Sequence, residues 1–385
     1  MRKINLKIET ILLISCFFCI ISQLPDLWGN SVISLIYNCG WLLLLDYFII
    51  KDSFKVRLPL ILVVIPIAFD LLVVLFQIIS RKPYLNSNMF MPLHLCTFIS
   101  IIGCYIGKYC NKNIIVKIIK IFLLGTFILS ISIFRTTFSG VNWQDASGYL
   151  YTAKNSAATI FLLAIIMGIL YIRDLKKIFV IPLLCFLSLL ILMMKSRATI
   201  LCLVLIIIYL VIFYVKNPVF KILLLFLLAS FFFFVLFNKN AYNLFINKII
   251  FNNRSTTDLT VITSGRDEHF EYFIKQFPNY ILSGTGGTYL ESFPLAALMS
   301  YGFFGGILII IYTFLPSYYV LKNRKKISDK RFKYLILSLN IVLVINGLFE
   351  ELTPLGPGVK CFILWLFFGC CVGLLNRKKV GDLSE

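Results

Sequence analysis

Long apolar runs constrain this chain more strongly than any other feature of its sequence. An α-helix needs about 20 apolar residues to cross a hydrocarbon core of about 30 Å, and twelve runs close to that length follow one another here. None shows the strict alternation of a barrel strand, so backbone groups inside lipid must be satisfied within helices. We therefore predict an all-α, polytopic integral membrane helical bundle. The runs lie near 8–25, 31–50, 58–79, 90–107, 114–134, 155–172, 178–194, 198–215, 219–237, 293–321, 332–350 and 357–375.

The basic residues indicate the orientation of these spans. With the N-terminus inside, the inner connectors hold twice as many lysines and arginines as the outer ones, as the positive-inside rule requires. This distribution explains the net charge of +20, so we predict no nucleic-acid partner. We predict a single transmembrane domain over 1–385, with both termini cytoplasmic. A long outer loop, 238–292, separates the ninth run from the tenth.

The cysteines and histidines offer little chemistry. Most of the eleven cysteines lie inside apolar runs, and the CxxC pair Cys16 and Cys19 has no second pair to complete a zinc site. We interpret these cysteines as packing residues. Only two histidines are present. His94 and Asp70 are lone polar residues that we predict to be packed or hydrogen-bonded inside the bundle. We predict no metal site and no cofactor.

The long outer loop contains a short amphipathic run with two residues suited to an anion. Ser264 and Asp267 fit a capping box, which predicts a helix start, and Pro278 is expected to end the helix. Arg266 and His269 are three residues apart and so share a side of this helix. They either face lipid phosphate or are ordinary surface residues of an interfacial helix. The apolar face comprises Phe270, Phe273, Ile274 and Phe277.

The end of this loop carries a glycine cluster and a carboxylate. The sequence GTGG at 284–287 lacks the Lys-Ser/Thr of a nucleotide-binding loop, so a tight turn or a backbone nest near phosphate remains. Glu291 stands at the start of the tenth run, where it either compensates a helix dipole or acts as a general base. Glu350 and Glu351, at the outer end of the eleventh run, are rival candidates for the base.

Two shorter outer segments add polar side chains. In the turn KSR at 195–197, Ser196 can cap the following helix, and Arg197 beside that helix end suits an anion. An arginine reaching for lipid headgroups is the alternative. The loop 135–154 mixes hydroxyl, amide and aromatic groups, as sugar-binding surfaces do, or is a solvated loop with aromatic interfacial anchors. The candidate glycan-binding residues are Arg135, Trp143 and Asn155.

Five short segments follow one another in a distinctive order. They are TAKNSA at 152–157, KSRAT at 195–199, SGR at 264–266, GTG at 284–286 and YGFFGG at 301–306. Taken in this order, they resemble the O-antigen polymerase/O-antigen ligase superfamily of bacterial envelope enzymes, and the resemblance covers roughly residues 120–320. It implies a GT-C-like integral-membrane glycosyltransferase of the bacterial cytoplasmic membrane that uses undecaprenyl-diphosphate-linked sugars, with Arg197 and Arg266 on the diphosphate.

Ligases of this superfamily follow the glycine turn with a His-Asn pair, whereas this chain has Glu291 and Ser292. We therefore expect a polymerase of polysaccharide repeat units, with Glu291 or His269 as the base. It would transfer glycan from undecaprenyl diphosphate to a lipid-linked oligosaccharide at the outer membrane face. A ligase acting on a lipid A core or a protein, and a flippase of lipid-linked oligosaccharide, are the alternatives. Membrane lipids, a chain-length regulator and a flippase are the other expected partners.

Overall fold

A computed structural model gives the architecture of the protein. It describes residues 2–27, 29–52, 59–80, 87–110, 113–138, 149–251, 263, 265–351, 353–355 and 359–381. Every regular element in these segments is helical, as predicted. In chain order the helices are α1 (Arg2–Ile21), a 3₁₀ turn (Pro25–Leu27), α2 (Ser31–Asp52), α3 (Leu60–Ile79), α4 (Ser87–Tyr109), α5 (Asn113–Phe138), α6 (Tyr149–Leu170), α7 (Lys177–Met194), α8 (Arg197–Phe213), α9 (Pro218–Phe237), α10 (Lys239–Tyr242), a π-helix (Asn243–Ile250), α11 (Arg266–Tyr280), α12 (Phe293–Thr313), α13 (Leu315–Lys322), α14 (Lys330–Gly347) and α15 (Val359–Gly381).

Each of the twelve apolar runs forms helix, so the prediction of a polytopic helical chain is confirmed at this level. Within the described segments, eight helices are long and apolar enough to cross a membrane. Three shorter apolar stretches also lie in the described residues, Ile8–Ile21 of α1, Lys154–Leu170 of α6 and Arg197–Phe213 of α8. Helix α14 opens with three basic residues.

The tenth run, 293–321, is not the single continuous helix that we predicted. It forms α12 and α13, which separate at Phe314, and Pro316 in the first turn of α13 lacks the N–H that a continuous helix needs. Gly302 also interrupts α12 itself, with φ 71° and ψ 178°. Glycine adopts such a positive φ without strain, unlike other residues. The break frees backbone groups of α12 to bond with the loop that precedes it.

Helices α4 and α15 run parallel and pack with their backbones in close contact. Gly103 and Gly107 on α4 face Gly369 and Gly373 on α15, each pair at GxxxG spacing. A Cβ added at Gly369 would lie 2.0 Å from the carbonyl oxygen of Ser100. The two backbones therefore touch, as small residues allow in membrane helices.

Helix α9 has the opposite surroundings. Although it is one of the most apolar candidate spans, only Val235 among its residues is buried. Its phenylalanines and leucines are mostly exposed. Such an exposed apolar surface suits a helix that faces lipid.

Two ends of the bundle can be told apart by helix contacts. At one end, Asn346 in the last turn of α14 donates to Thr159 Oγ1 of α6 at 2.5 Å and lies 3.9 Å from Cys202 Sγ of α8. At the other end, Arg331 in the first turn of α14 pairs with Asp174 just after α6. The charge distribution makes the first the predicted outer end and the second the predicted inner end.

The lone polar residues of the third and fourth runs pair with each other. His94 Nε2 on α4 lies 3.0 Å from Asp70 Oδ2 on α3, and each side chain is about a third exposed. Asp70 Oδ1 is buried and has no hydrogen-bond partner among the described residues. The predicted pairing of these polar groups is confirmed, each residue being the partner of the other, but neither side chain is fully inside the bundle.

Replacing His94 by alanine should destabilise the protein, because Asp70 then loses its partner in apolar surroundings. We expect a loss of about 0.5–1.5 kcal/mol, the usual net contribution of a hydrogen bond, because each side chain is about a third exposed. The double variant Asp70→Asn/His94→Ala should lose less than His94→Ala alone. Thermal unfolding in detergent measures both variants, and equal melting temperatures would contradict this account of the pair.

Candidate functional site

The long outer loop contains the predicted helix, α11, but with different ends. Gly265 precedes it with φ 82° and provides no side-chain cap, while Thr263 donates to Asp267 Oδ1 at 2.7 Å. Ser264, the predicted capping residue, lies outside the described residues. The helix continues past Pro278, so the predicted end there is wrong. A proline in the last turn is tolerated because it removes a single helical hydrogen bond.

Arg266, the first residue of α11, is held from several directions. Its guanidinium donates to the carbonyl oxygens of Thr263 at 2.9 Å and Phe349 at 3.2 Å, and Nη2 lies 3.0 Å from Glu291 Oε2. The guanidinium also lies 5.6 Å from the centroid of the Phe349 ring. Its Nε is buried without a hydrogen-bond partner among the described residues. An unsatisfied buried donor costs about 1–3 kcal/mol, and such an exception is common where a group serves function.

His269 and Glu291 meet beside Arg266, although 22 residues separate them in the chain. The backbone N–H of Glu291 donates to His269 Nδ1 at 2.9 Å. Tyr289 packs edge-on against the imidazole, with ring centroids 5.8 Å apart, and its hydroxyl donates to Glu291 Oε1 at 3.4 Å. Each carboxylate oxygen of Glu291 therefore has a donor. We call Arg266, His269, Tyr289 and Glu291 the loop site.

Half of the predicted apolar face of α11 anchors it to α12. Phe273 and Phe277 stack with ring centroids 4.7 Å apart and pack against the buried cluster of Leu290, Ala296 and Met299, the last two of which belong to α12. Phe270 and Ile274 are more than half exposed. The helix therefore rests on the bundle through one half of its apolar face, which fixes the position of Arg266 and His269 at its start.

The glycine cluster at 284–287 packs against the break in α12. The N–H groups of Thr285 and Gly286 donate to α12 carbonyls at 2.8 and 3.0 Å. Gly284 has φ 65°, and a Cβ there would lie 2.2 Å from the Ser300 carbonyl oxygen, so this crossing requires glycine. The tight-turn interpretation agrees with this geometry. The phosphate-nest interpretation is wrong for Thr285 and Gly286, because their N–H groups already serve α12.

A second polar group lies at the start of α8. Ser196 donates to Asn155 Oδ1 at 2.9 Å, and its oxygen lies 2.9 Å from Thr199 Oγ1. Ser196 occupies the N-cap position but makes no side-chain cap bond, so the predicted capping role is wrong. The hydroxyl instead donates across to Asn155 and so ties α8 to α6. Asn155, a predicted glycan ligand, thus uses its side-chain oxygen to join two helices.

The other predicted ligands can be placed relative to the predicted outer end. Arg197 is the first residue of α8, and Arg135 is an exposed residue in the last turn of α5. Trp143 lies outside the described residues. Arg266 reaches Phe349, just past α14, whose last turn meets α8. The loop site and Arg197 therefore share one end of the bundle.

The rival carboxylates have different surroundings. Glu350 pairs with Lys360 and accepts a hydrogen bond from Thr353 at 2.9 Å, so it holds the segment after α14 to α15. Burial raises the pKa of Glu351 above its usual value. Desolvation also raises the pKa of the Tyr289 hydroxyl, and nearby carboxylates, Glu351 among them, add to that rise. Glu351 therefore lies near the loop site. Burial disfavours the charged form of its carboxyl group.

Neither a protein-family model nor a curated protein matches this chain. The chemistry of the site therefore rests on its own residues. In the part of the chain that the structure describes, no group of three or more His, Cys, Asp or Glu side chains could hold a metal ion. The loop site offers a positioned cation that can bind phosphate, a carboxylate that can accept a proton, and an imidazole.

The half-buried Glu351 carboxyl predicts a pH-dependent contribution to stability. Burial disfavours its charged form, so its pKa in the folded protein lies above the usual value of 4.5. The folded state then binds this proton more tightly, and stability falls as the pH rises from about 4.5 through the raised pKa. Glu351→Gln should flatten this part of the curve and raise the melting temperature at neutral pH by a few degrees. Melting curves measured across this window would contradict the prediction if the two proteins ran parallel.

Proposed function

We propose that the protein is a polysaccharide repeat-unit polymerase of the bacterial cytoplasmic membrane, with both termini cytoplasmic and the loop site outside. The observation that carries the proposal is the convergence of Arg266, His269 and Glu291 at one end of an apolar helical bundle. The donor is glycan on undecaprenyl diphosphate, and the acceptor is a lipid-linked oligosaccharide. The resemblance of the segments around Arg197, Arg266 and the glycine turn supports the same reaction.

This transfer requires stabilisation of a leaving diphosphate. The acceptor hydroxyl oxygen bonds to the anomeric carbon, the bond from that carbon to the diphosphate oxygen breaks, and its electron pair leaves with the diphosphate. Arg266 is held by the carbonyls of Thr263 and Phe349, so its charge is in place before the substrate binds. Preorganised charge of this kind is usually the largest single contribution to such a reaction. Arg197 is assigned the second contact to the diphosphate.

The acceptor proton requires a base, and Glu291 fits this role better than His269. His269 Nδ1 accepts the Glu291 N–H, so the proton of the neutral ring is on Nε2, which is then a donor. We assign Glu291 as the base and His269 as a donor to a phosphate oxygen. Arg266 pairs with Glu291, and a diphosphate that competes for Arg266 frees the carboxylate to accept the proton. Donor binding and base activation are thereby coupled.

Two alternative functions, a ligase and a flippase, account for fewer of these features than a polymerase does. A ligase would transfer glycan to a lipid A core or a protein, and Glu291 stands where the His-Asn pair of a ligase is expected. A flippase would use interrupted spans at its substrate path, and α12 is interrupted at Gly302. The 284–287 turn bonds to the carbonyls freed by that break. This favours a rigid support for the loop site over a moving gate.

Reconstitution in vesicles tests the proposal. Given labelled single repeat units on undecaprenyl diphosphate, the protein should lengthen the glycan one repeat at a time and release one carrier diphosphate for each repeat added. Transfer to a lipid A core without lengthening would identify a ligase. Movement of the label across the bilayer at unchanged glycan length would identify a flippase. Either of these results would overturn the proposal.

A further inference from the structure

A cavity of about 600 Å³ lies at the predicted inner end of the bundle, opposite the loop site. The start of α5, the residue after α6, the start of α14 and the end of α15 contribute to its lining. The apolar Leu374 and Phe332 and the basic Lys326 and Arg377 all line it. The candidate span of α15 ends at Arg377. The cavity therefore lies where spanning segments leave the hydrocarbon.

Tyr171 gives this cavity an unused polar group. Its side chain is 2% exposed, and its buried hydroxyl has no hydrogen-bond partner among the described residues. Arg331 lies 5.0 Å from the ring centroid and is itself bound by Asp174 and Asp329. A tyrosine hydroxyl is neutral near pH 7 and able to donate. Because a buried donor without a partner is costly, the cavity suits a ligand that supplies an acceptor.

The charged residues of the lining indicate that the ligand is negatively charged. Lys326, Arg331 and Arg377 outnumber Asp174 and Asp329 by one, and both aspartates are committed to Arg331. The apolar part of the lining suits a hydrocarbon chain. Basic pockets between transmembrane helices on the cytoplasmic side bind the headgroups of anionic lipids.

We propose that this cavity binds the phosphate headgroup of an anionic phospholipid, with the Tyr171 hydroxyl and Arg377 as ligands to the phosphate. The inference rests on the proposed membrane location and orientation and is independent of the polymerase reaction. A binding measurement tests it without any assay of glycan transfer, so the two proposals can fail separately.

Native mass spectrometry of the full chain in detergent is the experiment. With phosphatidylglycerol and phosphatidylcholine added in equal amounts, the protein should retain the anionic lipid in preference. Tyr171→Phe removes only the hydroxyl and Arg377→Gln removes one charge, and each should lower this retention severalfold. The double variant Lys216→Gln/Lys221→Gln removes charge from the same predicted face outside the cavity lining. It should bind like the wild type.

Three results would overturn the proposal. If the Lys216→Gln/Lys221→Gln variant lost as much lipid retention, the general positive charge of this face would explain the binding. Displacement of the lipid by glycerol 3-phosphate at the same concentration would assign the site to a soluble phosphate. A lower melting temperature of lipid-free Tyr171→Phe would show that the hydroxyl already makes a stabilising hydrogen bond within the protein. We expect that temperature to stay the same or rise.

Discussion

Arg266→Ala should leave single-repeat glycolipid unpolymerised when the variant is present at wild-type amounts. The Arg266 guanidinium is fixed by two backbone carbonyls and paired with Glu291. In the proposed transfer, its loss would remove a preorganised cation from the leaving diphosphate. Removal of one such donor typically lowers the rate by about 10²–10³-fold. The measurement is the initial rate of glycan lengthening in vesicles, with protein amount and melting temperature matched between samples.

Matched variants separate the diphosphate role from structural effects. Lys275 lies on the same helix, is 72% exposed and pairs only loosely with Glu271, so Lys275→Ala should lengthen glycan at the wild-type rate. Arg266→Lys keeps the charge but loses the planar fork and should fall between the two. Wild-type lengthening by Arg266→Ala would remove Arg266 from the reaction.

Loss of the proposed base has a different signature. Glu291→Gln removes the carboxylate but keeps the side-chain size and the backbone N–H that bonds to His269. We expect a rate loss of about 10²–10⁴-fold with donor binding retained or strengthened, because Arg266 no longer has a competing carboxylate. Donor binding measured with a non-transferable lipid-linked analogue tests this. Weakened binding together with a lowered rate would make Glu291 a positioning residue.

The sequence predicts the helical class and most helix bounds because apolar runs of about 20 residues have few stable arrangements in lipid. The apolar pattern misses the breaks within the tenth run. It does not predict that 293–321 forms two helices, and it treats Gly302 as one more small residue, although its positive φ breaks α12. The GxxxG spacing of α4 and α15 is visible in the sequence. Which two helices it joins depends on the fold, since each motif is also compatible with other neighbours.

The sequence likewise predicts only part of the candidate site. Helical spacing suffices to put Arg266 and His269 on one side of α11. Their meeting with Glu291 depends on the path of the chain through the glycine turn at 284–287, which periodicity does not describe. Tyr289 has no distinctive sequence signal. The pairing of Asp70 with His94 could not be predicted either. Two lone polar residues in separate spans do not show how deep each lies in the bilayer or which neighbouring helix it faces.

Gly369→Val should prevent α4 and α15 from packing and cause the largest loss of folded protein. A Cβ at Gly369 would lie 2.0 Å from the carbonyl oxygen of Ser100. The obstacle is backbone in a packed helix, so no side-chain rotation relieves it. Overpacking with side-chain adjustment costs about 1–3 kcal/mol, and we expect a greater loss here. Size-exclusion profiles and melting temperatures of the detergent-purified protein measure it.

Two further variants identify the cause. Ala229→Val adds similar bulk on an exposed part of α9 and should leave the melting temperature unchanged. Ser100→Gly leaves the obstructing carbonyl in place and should not rescue Gly369→Val. Rescue would mean that side chains, not backbones, are in conflict at this contact. Because α15 also carries Lys360, the partner of Glu350, separating the helices loosens the segment that supports Arg266. The packing of α4 on α15 and the geometry of the loop site should therefore fail together.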